Sequence, residues 1–244
     1  MAEILDMLAR GNAEYSMERK VLPLELIADL TSFNSLPSPR VLQTHLPYKW
    51  FPRIHVENKG KIIHCIRNPK DMYVSMFHHC STGLELGRKT EGMTWTQFFD
   101  NCIMEKVCLH GTWFDYVKQM DQAKKDGQNI YTVHYEKMRE NLYQGIKAIA
   151  RFLELHYSDD LLKDIIQKCS FSNLKRAYDD IKELSSEVQT SNKHYVEMFP
   201  DYQLPNIFRK GIVGDWKNHF TVAQNEQFDA LYEKGMKDCD IEVL

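Results

Sequence analysis

Three groups of residues in this 244-residue chain have types and spacings suited to holding an anion or moving a proton. Arg67 lies between a short apolar run, Lys61-Ile-Ile-His-Cys-Ile66, and the pair Asn68-Pro69. Asparagine is a strong helix N-cap, and proline at the first helical position gives up no hydrogen bond. The pattern therefore reads as strand, turn, helix, with a guanidinium at the turn. The free amides of a helix start favour an anion there, and a guanidinium adds bidentate geometry. A surface arginine paired with a carboxylate would have the same sequence. Arg209-Lys210-Gly211 sets two cations before a residue that lets backbone approach an anion closely; a solvated basic pair in a loop also fits. His45 ends a candidate strand just before Leu46-Pro47, at a carboxyl strand end, where α/β folds place ligands. An imidazole with an ordinary pKa near ~6.5 can take a proton from a hydroxyl at neutral pH. It can equally satisfy backbone groups at the strand end.

The elements that would position these residues alternate along the chain. Residues 2–10 form an amphipathic helix stopped at Gly11, and residues 12–39, with Pro23, Pro37 and Pro39, are irregular. Strands are expected over 40–44, 61–66 and 129–134, and a helix from Asn68 to about Cys80. Residues 83–92 form a polar loop. Thr94 and Gln97 make a capping box for a helix to about Glu105, and 112–125 is helical, stopped near Gly127. Further helices span 141–155, then 158–168 capped by Ser158, and finally a stretch from the Thr221–Gln224 box to about Met236. Residues 179–208 are polar with few signals and read as a partly ordered connection. Strands separated by helices imply a parallel sheet flanked by helices in one domain, residues 1–244.

Composition is that of an ordinary globular protein, 43% hydrophobic and 27% charged. A formal charge of −3 gives no drive toward nucleic acid or acidic membranes, so any anion site must come from local clustering. The six cysteines show neither a C-x-x-C pair nor metal-ligand spacing, and Cys65 reads as a core residue. Without a signal peptide or an apolar run near the ~20 residues that span a bilayer, a cytoplasmic location is expected. His78-His79-Cys80 invites a metal reading, but adjacent helical residues point apart, so no metal is expected.

Four blocks occur in order: Leu42-Gln-Thr-His-Leu-Pro47, Arg67-Asn-Pro-Lys-Asp-Met-Tyr-Val-Ser75, Phe208-Arg-Lys-Gly-Ile-Val-Gly-Asp-Trp216 and Lys217-Asn-His-Phe-Thr-Val-Ala-Gln-Asn-Glu226. Together they resemble the cytosolic sulfotransferases, from about Ala2 to at least Met236. The resemblance implies a three-layer α/β fold of the P-loop NTPase type. It also implies sulfuryl transfer from 3′-phosphoadenosine 5′-phosphosulfate (PAPS) to a hydroxyl or amine of a small molecule, such as a phenol, alcohol or steroid, without a metal. It makes His45 the catalytic base. Arg67, Ser75, Arg209, Lys210 and Gly211 become ligands of the 3′-phosphate, and Tyr135 with Cys169, Ser170 and Phe171 contact the adenosine. Ser75 rests on the resemblance alone, and Phe171 also fits an ordinary core ring. Lys217, Thr221, Val222 and Glu226 match the family's homodimer motif, although a helix cap with exposed charges explains them too.

The chain departs from the family at three places. The phosphosulfate loop, Tyr-Pro-Lys-Ser-Gly-Thr-Thr-Trp, normally precedes a helix like Glu3-Ile-Leu-Asp-Met7, which here follows Met1-Ala2. No G-x-x-x-x-G-K-[ST] or G-x-G-x-x-G replaces it. Gln43 stands where the family has a lysine, and Cys169 where it has a threonine. The expectation is a sulfotransferase fold without its first strand and phosphosulfate loop, slow or inactive as written. The alternative is a catalytically dead module that binds nucleotide or dimerises. A nucleotide kinase is disfavoured, because its phosphate loop is missing too.

Overall fold

The computed structural model describes residues 1–15, 24–26, 38–80, 92–105, 111–184 and 208–243. The described elements, in chain order, begin with α1 (Ala2–Arg10), α2 (Arg53–Glu57), β1 (Ile62–Ile66), α3 (Pro69–Cys80), α4 (Trp95–Phe98) and α5 (Trp113–Lys125). They continue with β2 (Ile130–His134), α6 (Tyr135–Glu140), α7 (Leu142–Leu153), α8 (Asp159–Lys168), α9 (Phe171–Leu184) and α10 (Val222–Met236). The chain divides into two compact units, Met1–His45 with Asn141–Leu204, and Leu46–Glu140 with Pro205–Leu244.

The first unit is mainly helical among its described residues. Ile4, Met7 and Leu8 bury one face of α1, which stops at Gly11 in the left-handed conformation, φ 67°. The Tyr157 hydroxyl donates to the Leu8 carbonyl at 2.5 Å and pins that end. Asn141 Oδ1 accepts the Gln144 amide at 3.0 Å to start α7, whose Ile146, Ile149 and Ala150 are buried at i, i+3, i+4 spacing. Ser158 Oγ does the same for α8, where Leu162 and Ile165 face inward.

The second unit contains the sheet. β1 and β2 run parallel, in register from Ile62 opposite Ile130 to Ile66 opposite His134. Met120 and Ala123 of α5 pack on Ile62 and Ile130, since a parallel pair must have its faces covered. A larger core gathers aromatic rings: Tyr73 of α3, Phe98 and Phe99, Phe114 of α5, Phe220, and Phe228 of α10. Their rings meet mostly tilted or edge-on, as Phe99 does Phe220 at 5.6 Å. Capping boxes at Thr94–Gln97, Thr112–Asp115 and Thr221–Gln224 start the three helices that deliver most of these rings.

Several expectations need correction. Residues 40–44 form no strand: Gln43 makes one bridge, its carbonyl accepting the Leu24 amide at 2.8 Å, and a single partner cannot build a ladder. The helix expected from Thr94 to Glu105 widens into a π segment at Phe99–Met104. That extra residue per turn puts Phe98, Phe99, Cys102 and Ile103 all into the core. The expected connection from 179 is helical as far as Leu184, and residues 185–207 lie outside the described ones, as do 16–23, 27–37 and 81–91 of the expected loops. Among the described residues no helix is long and apolar enough to cross a membrane.

Candidate functional site

In the second unit, the turn between β1 and α3 is built by side chains from distant sequence. Asn68 Oδ1 accepts the Lys70 amide at 3.0 Å, the cap its type and place suggested. The Asn68 amide in turn donates to buried Glu136 of α6 at 2.8 Å. The Arg67 guanidinium lies over the Tyr135 ring, 4.6 Å from its centroid, and donates to the Ile212 carbonyl at 3.2 Å. Its Nε is buried without a hydrogen-bond partner among the described residues. Asp71, in the first turn of α3, is buried and accepts the Gly214 and Trp216 amides at 2.6 and 2.9 Å. It stands 3.8 Å from Arg67. One carboxylate thus joins the helix start to the loop that carries Arg209-Lys210-Gly211.

Gly211 and Gly214 shape that loop with φ of 65° and 86°, a region that favours glycine. Asp215, buried just after Gly214, takes Arg209 Nη1 at 2.5 Å, Lys210 Nζ at 2.8 Å and Asn218 Nδ2 at 2.9 Å. Burial alone would raise its pKa, but the hydrogen bonds from Lys210, Asn218 and Arg209 win and hold it well below the carboxylate range. Both cations are therefore oriented by an internal anion. An arginine has five N–H donors, so one edge on Asp215 leaves others for a ligand. Ser75 lies half-buried in the second turn of α3. Tyr135 opens α6, which sequence reasoning did not anticipate.

In the first unit, His45 is met by Glu25, which lies in the short 3-10 turn Leu24–Leu26. The Glu25 carboxylate contacts His45 Nδ1 at 2.7 Å and accepts the His45 amide at 2.9 Å. Cys169 caps the end of α8 with its thiol buried 3.8 Å from Met7 Sδ, and burial pushes that thiol up to about 12. Ser170 accepts the Leu174 amide at 2.9 Å through its carbonyl, and half-buried Phe171 begins α9.

Thr221 caps α10, Lys217 and Glu226 are exposed, and Val222 is 77% exposed. His78 Nε2 faces His219 Nε2 at 2.9 Å, and no group of three metal-ligating residues occurs among the described ones. Sequence reasoning missed Glu25, Asp71, Glu136 and Asp215. Asp71 had a local signal, an acidic residue in a helix first turn, and Asp215 sat unremarked inside a matched block.

A helix start bearing an arginine, tied by a buried aspartate to a basic glycine loop on an α/β scaffold, is an arrangement able to receive an anion. The sulfotransferase domain family matches residues 13–240. Mouse (Mus musculus) sulfotransferase 1B1 is 32% identical over 255 residues, covering 99% of this chain and 80% of its own. The amine sulfotransferase of Oryctolagus cuniculus is 34% identical over 212 residues, 85% of this chain and 65% of its own. The crystal structure of mouse sulfotransferase SULT7A1 complexed with PAP superposes with a TM-score of 0.70 at 28% identity, covering 90% of this chain and 74% of that one. The chain belongs to the sulfotransferase family.

Proposed function

We propose that the chain handles PAPS and a small hydroxyl or amine acceptor, with Arg67, Ser75, Arg209, Lys210 and Gly211 addressing the nucleotide's 3′-phosphate. The observation that carries this reading is the buried, unpartnered Nε of Arg67, on a guanidinium already linked to the basic loop through Ile212 and Asp71. A buried donor without an acceptor favours an incoming anion. Tyr135, Ser170, Phe171 and the backbone of Cys169 address the adenosine, the aromatic rings by stacking.

The donor supplies the sulfuryl group: a bond forms from the acceptor oxygen or nitrogen to sulfur as the bond from sulfur to the 5′-phosphate oxygen breaks, and the acceptor's proton goes to His45. His45 is the general base in this scheme, and Arg67, Arg209 and Lys210 hold the nucleotide in place. The amine sulfotransferase among the relatives supports including amines as acceptors. Exposed Val222, with Lys217, Thr221 and Glu226 beside it, supports a homodimer through this segment. Among the described residues, free thiols at Cys65, Cys169 and Cys239 support a reducing, cytoplasmic setting.

Calorimetric titration with 3′-phosphoadenosine 5′-phosphate (PAP) tests the nucleotide assignment. Binding should be seen, and Arg209→Ala should weaken it about 10–100-fold, the loss of one hydrogen bond to a charged group. A flat titration of folded protein at millimolar nucleotide would overturn the reading.

A further inference from the structure

Glu25 holds the imidazole of His45 at Nδ1. Glu25 Oε1 meets both the His45 amide, at 2.9 Å, and Nδ1, at 2.7 Å, while Oε2 accepts the Thr44 hydroxyl at 2.8 Å. The Leu24 amide donates to the Gln43 carbonyl at 2.8 Å, so the turn and the segment 43–45 are fastened at both backbone and side chain. The Glu25 side chain is 15% exposed and that of His45 63%. The carboxylate is therefore enclosed, and much of the ring remains open to solvent.

An ionised carboxylate only accepts hydrogen bonds, so the nitrogen facing it must carry the proton. Glu25 is such a carboxylate: partial burial alone would raise its pKa, but hydrogen bonds from His45, backbone and Thr44 lower it to about 2. The neutral ring is then protonated at Nδ1, leaving the lone pair on Nε2.

We propose that Glu25 is the positioning residue of His45, fixing the tautomer that keeps the lone pair on Nε2, the nitrogen that takes the acceptor's proton. This rests on the assignment of His45 as base. When Nε2 takes that proton, the imidazolium carries a proton on each nitrogen, and the ionised Glu25 offsets its charge while remaining unprotonated. Glu25 itself touches neither donor nor acceptor in this scheme.

The resting protein gives the first readout. Long-range nitrogen–proton correlation spectra should show the neutral His45 ring protonated at Nδ1 in the native chain. Glu25→Ala should lose that tautomer, whereas near-isosteric Glu25→Gln should keep it, since its carbonyl can still accept from Nδ1. Persistence of the Nδ1–H tautomer in Glu25→Ala, or its absence from the native protein, would overturn the proposal without bearing on the family reaction.

Turnover of 2-naphthol with PAPS gives the second readout. Glu25→Gln keeps the hydrogen bond but loses the charge that offsets the imidazolium, and should lower kcat about 10–100-fold, the equivalent of roughly 1.4–2.7 kcal/mol in the transition state, with the KM for 2-naphthol unchanged. An unchanged kcat beside an inactive His45→Ala would refute the role of Glu25 alone. Full activity of His45→Ala would instead refute His45 as base, and the tautomer spectra would still decide whether Glu25 sets the ring.

Discussion

Asp71 is where the nucleotide-binding reading is most exposed to test. Its carboxylate is 1% exposed and accepts two backbone amides, Gly214 at 2.6 Å and Trp216 at 2.9 Å, across more than 140 residues of sequence. A hydrogen bond to a charged group contributes about 1.5–3 kcal/mol, so Asp71→Ala should cost about 3–5 kcal/mol. Asp71→Asn keeps one oxygen acceptor but turns an N–H toward the other amide, and should cost about half as much. Urea melts with an unchanged m-value would report these losses. The second consequence is functional. Although Asp71 does not contact the ligand in the proposed scheme, it fixes the loop bearing Arg209 and Lys210, so Asp71→Asn should weaken PAP binding about 5–30-fold. If Asp71→Ala melted within about 1 kcal/mol of the native protein, the two amides would be satisfied without it. The bracing argument would then be wrong.

Two further outcomes follow from other parts of the second unit. His64 is 2% exposed, and burial, then repulsion from His134 and Lys124, lowers its pKa from 6.5 to about 4. Between those values the unfolded chain binds the extra proton, so His64 should take about 3 kcal/mol from stability between pH 6.5 and pH 4 and no more below it, where the depressed carboxylates Glu25 and Asp215 begin to cost instead; His64→Leu should flatten the slope above pH 4 in urea melts, and an identical slope in both proteins would refute it. If the segment around Val222 makes a homodimer, Val222→Glu should shift sedimentation from dimer to monomer; a native chain that is monomeric at 100-fold the usual working concentration would remove the dimer altogether.

Local chemistry made much of this fold legible. Thr94 with Gln97 and Thr221 with Gln224 announce helix starts within four residues, and both boxes form. Asn68-Pro69, Ser158 and Gly11 punctuate helices for equally local reasons. The segment 40–44 was misjudged because an extended run becomes a strand only when a second strand meets it, and composition does not reveal the partner. The brace from Glu136 to Asn68 spans 68 residues and that from Asp71 to Trp216 spans 145. An acidic side chain in isolation looks like solvated surface, so nothing near Glu25 or Glu136 marked it as a buried anchor, and the helix-start position of Asp71 signalled a favourable charge but not its burial. The basic residues drew attention by type and spacing and took their proposed roles from the resemblance; the carboxylates behind them did neither.

That asymmetry bears on how the site can work. Arg67 stands near Asp71, Arg209 and Lys210 lie on Asp215, and His45 is held by Glu25. Basic side chains without counter-ions would lose their order, whereas Asp71 beside Arg67 and Asp215 shared by Arg209 and Lys210 fix their directions and offset part of their charge. In the second unit, Arg67, Arg209 and Lys210 are set against Asp71, Asp215 and, at the Asn68 turn, Glu136, which leaves no formal positive excess. Simple charge attraction therefore contributes little to holding an anion there. Recognition must come from donors already aimed, among them the buried Arg67 Nε and the edges of Arg209 that Asp215 leaves open. Such a site favours a ligand with directional acceptor oxygens, as a phosphate monoester has, over a diffuse anion of equal charge. In the proposed scheme the enclosed carboxylates, by aiming those donors, are what lets a chain with a net charge of −3 address a phosphate.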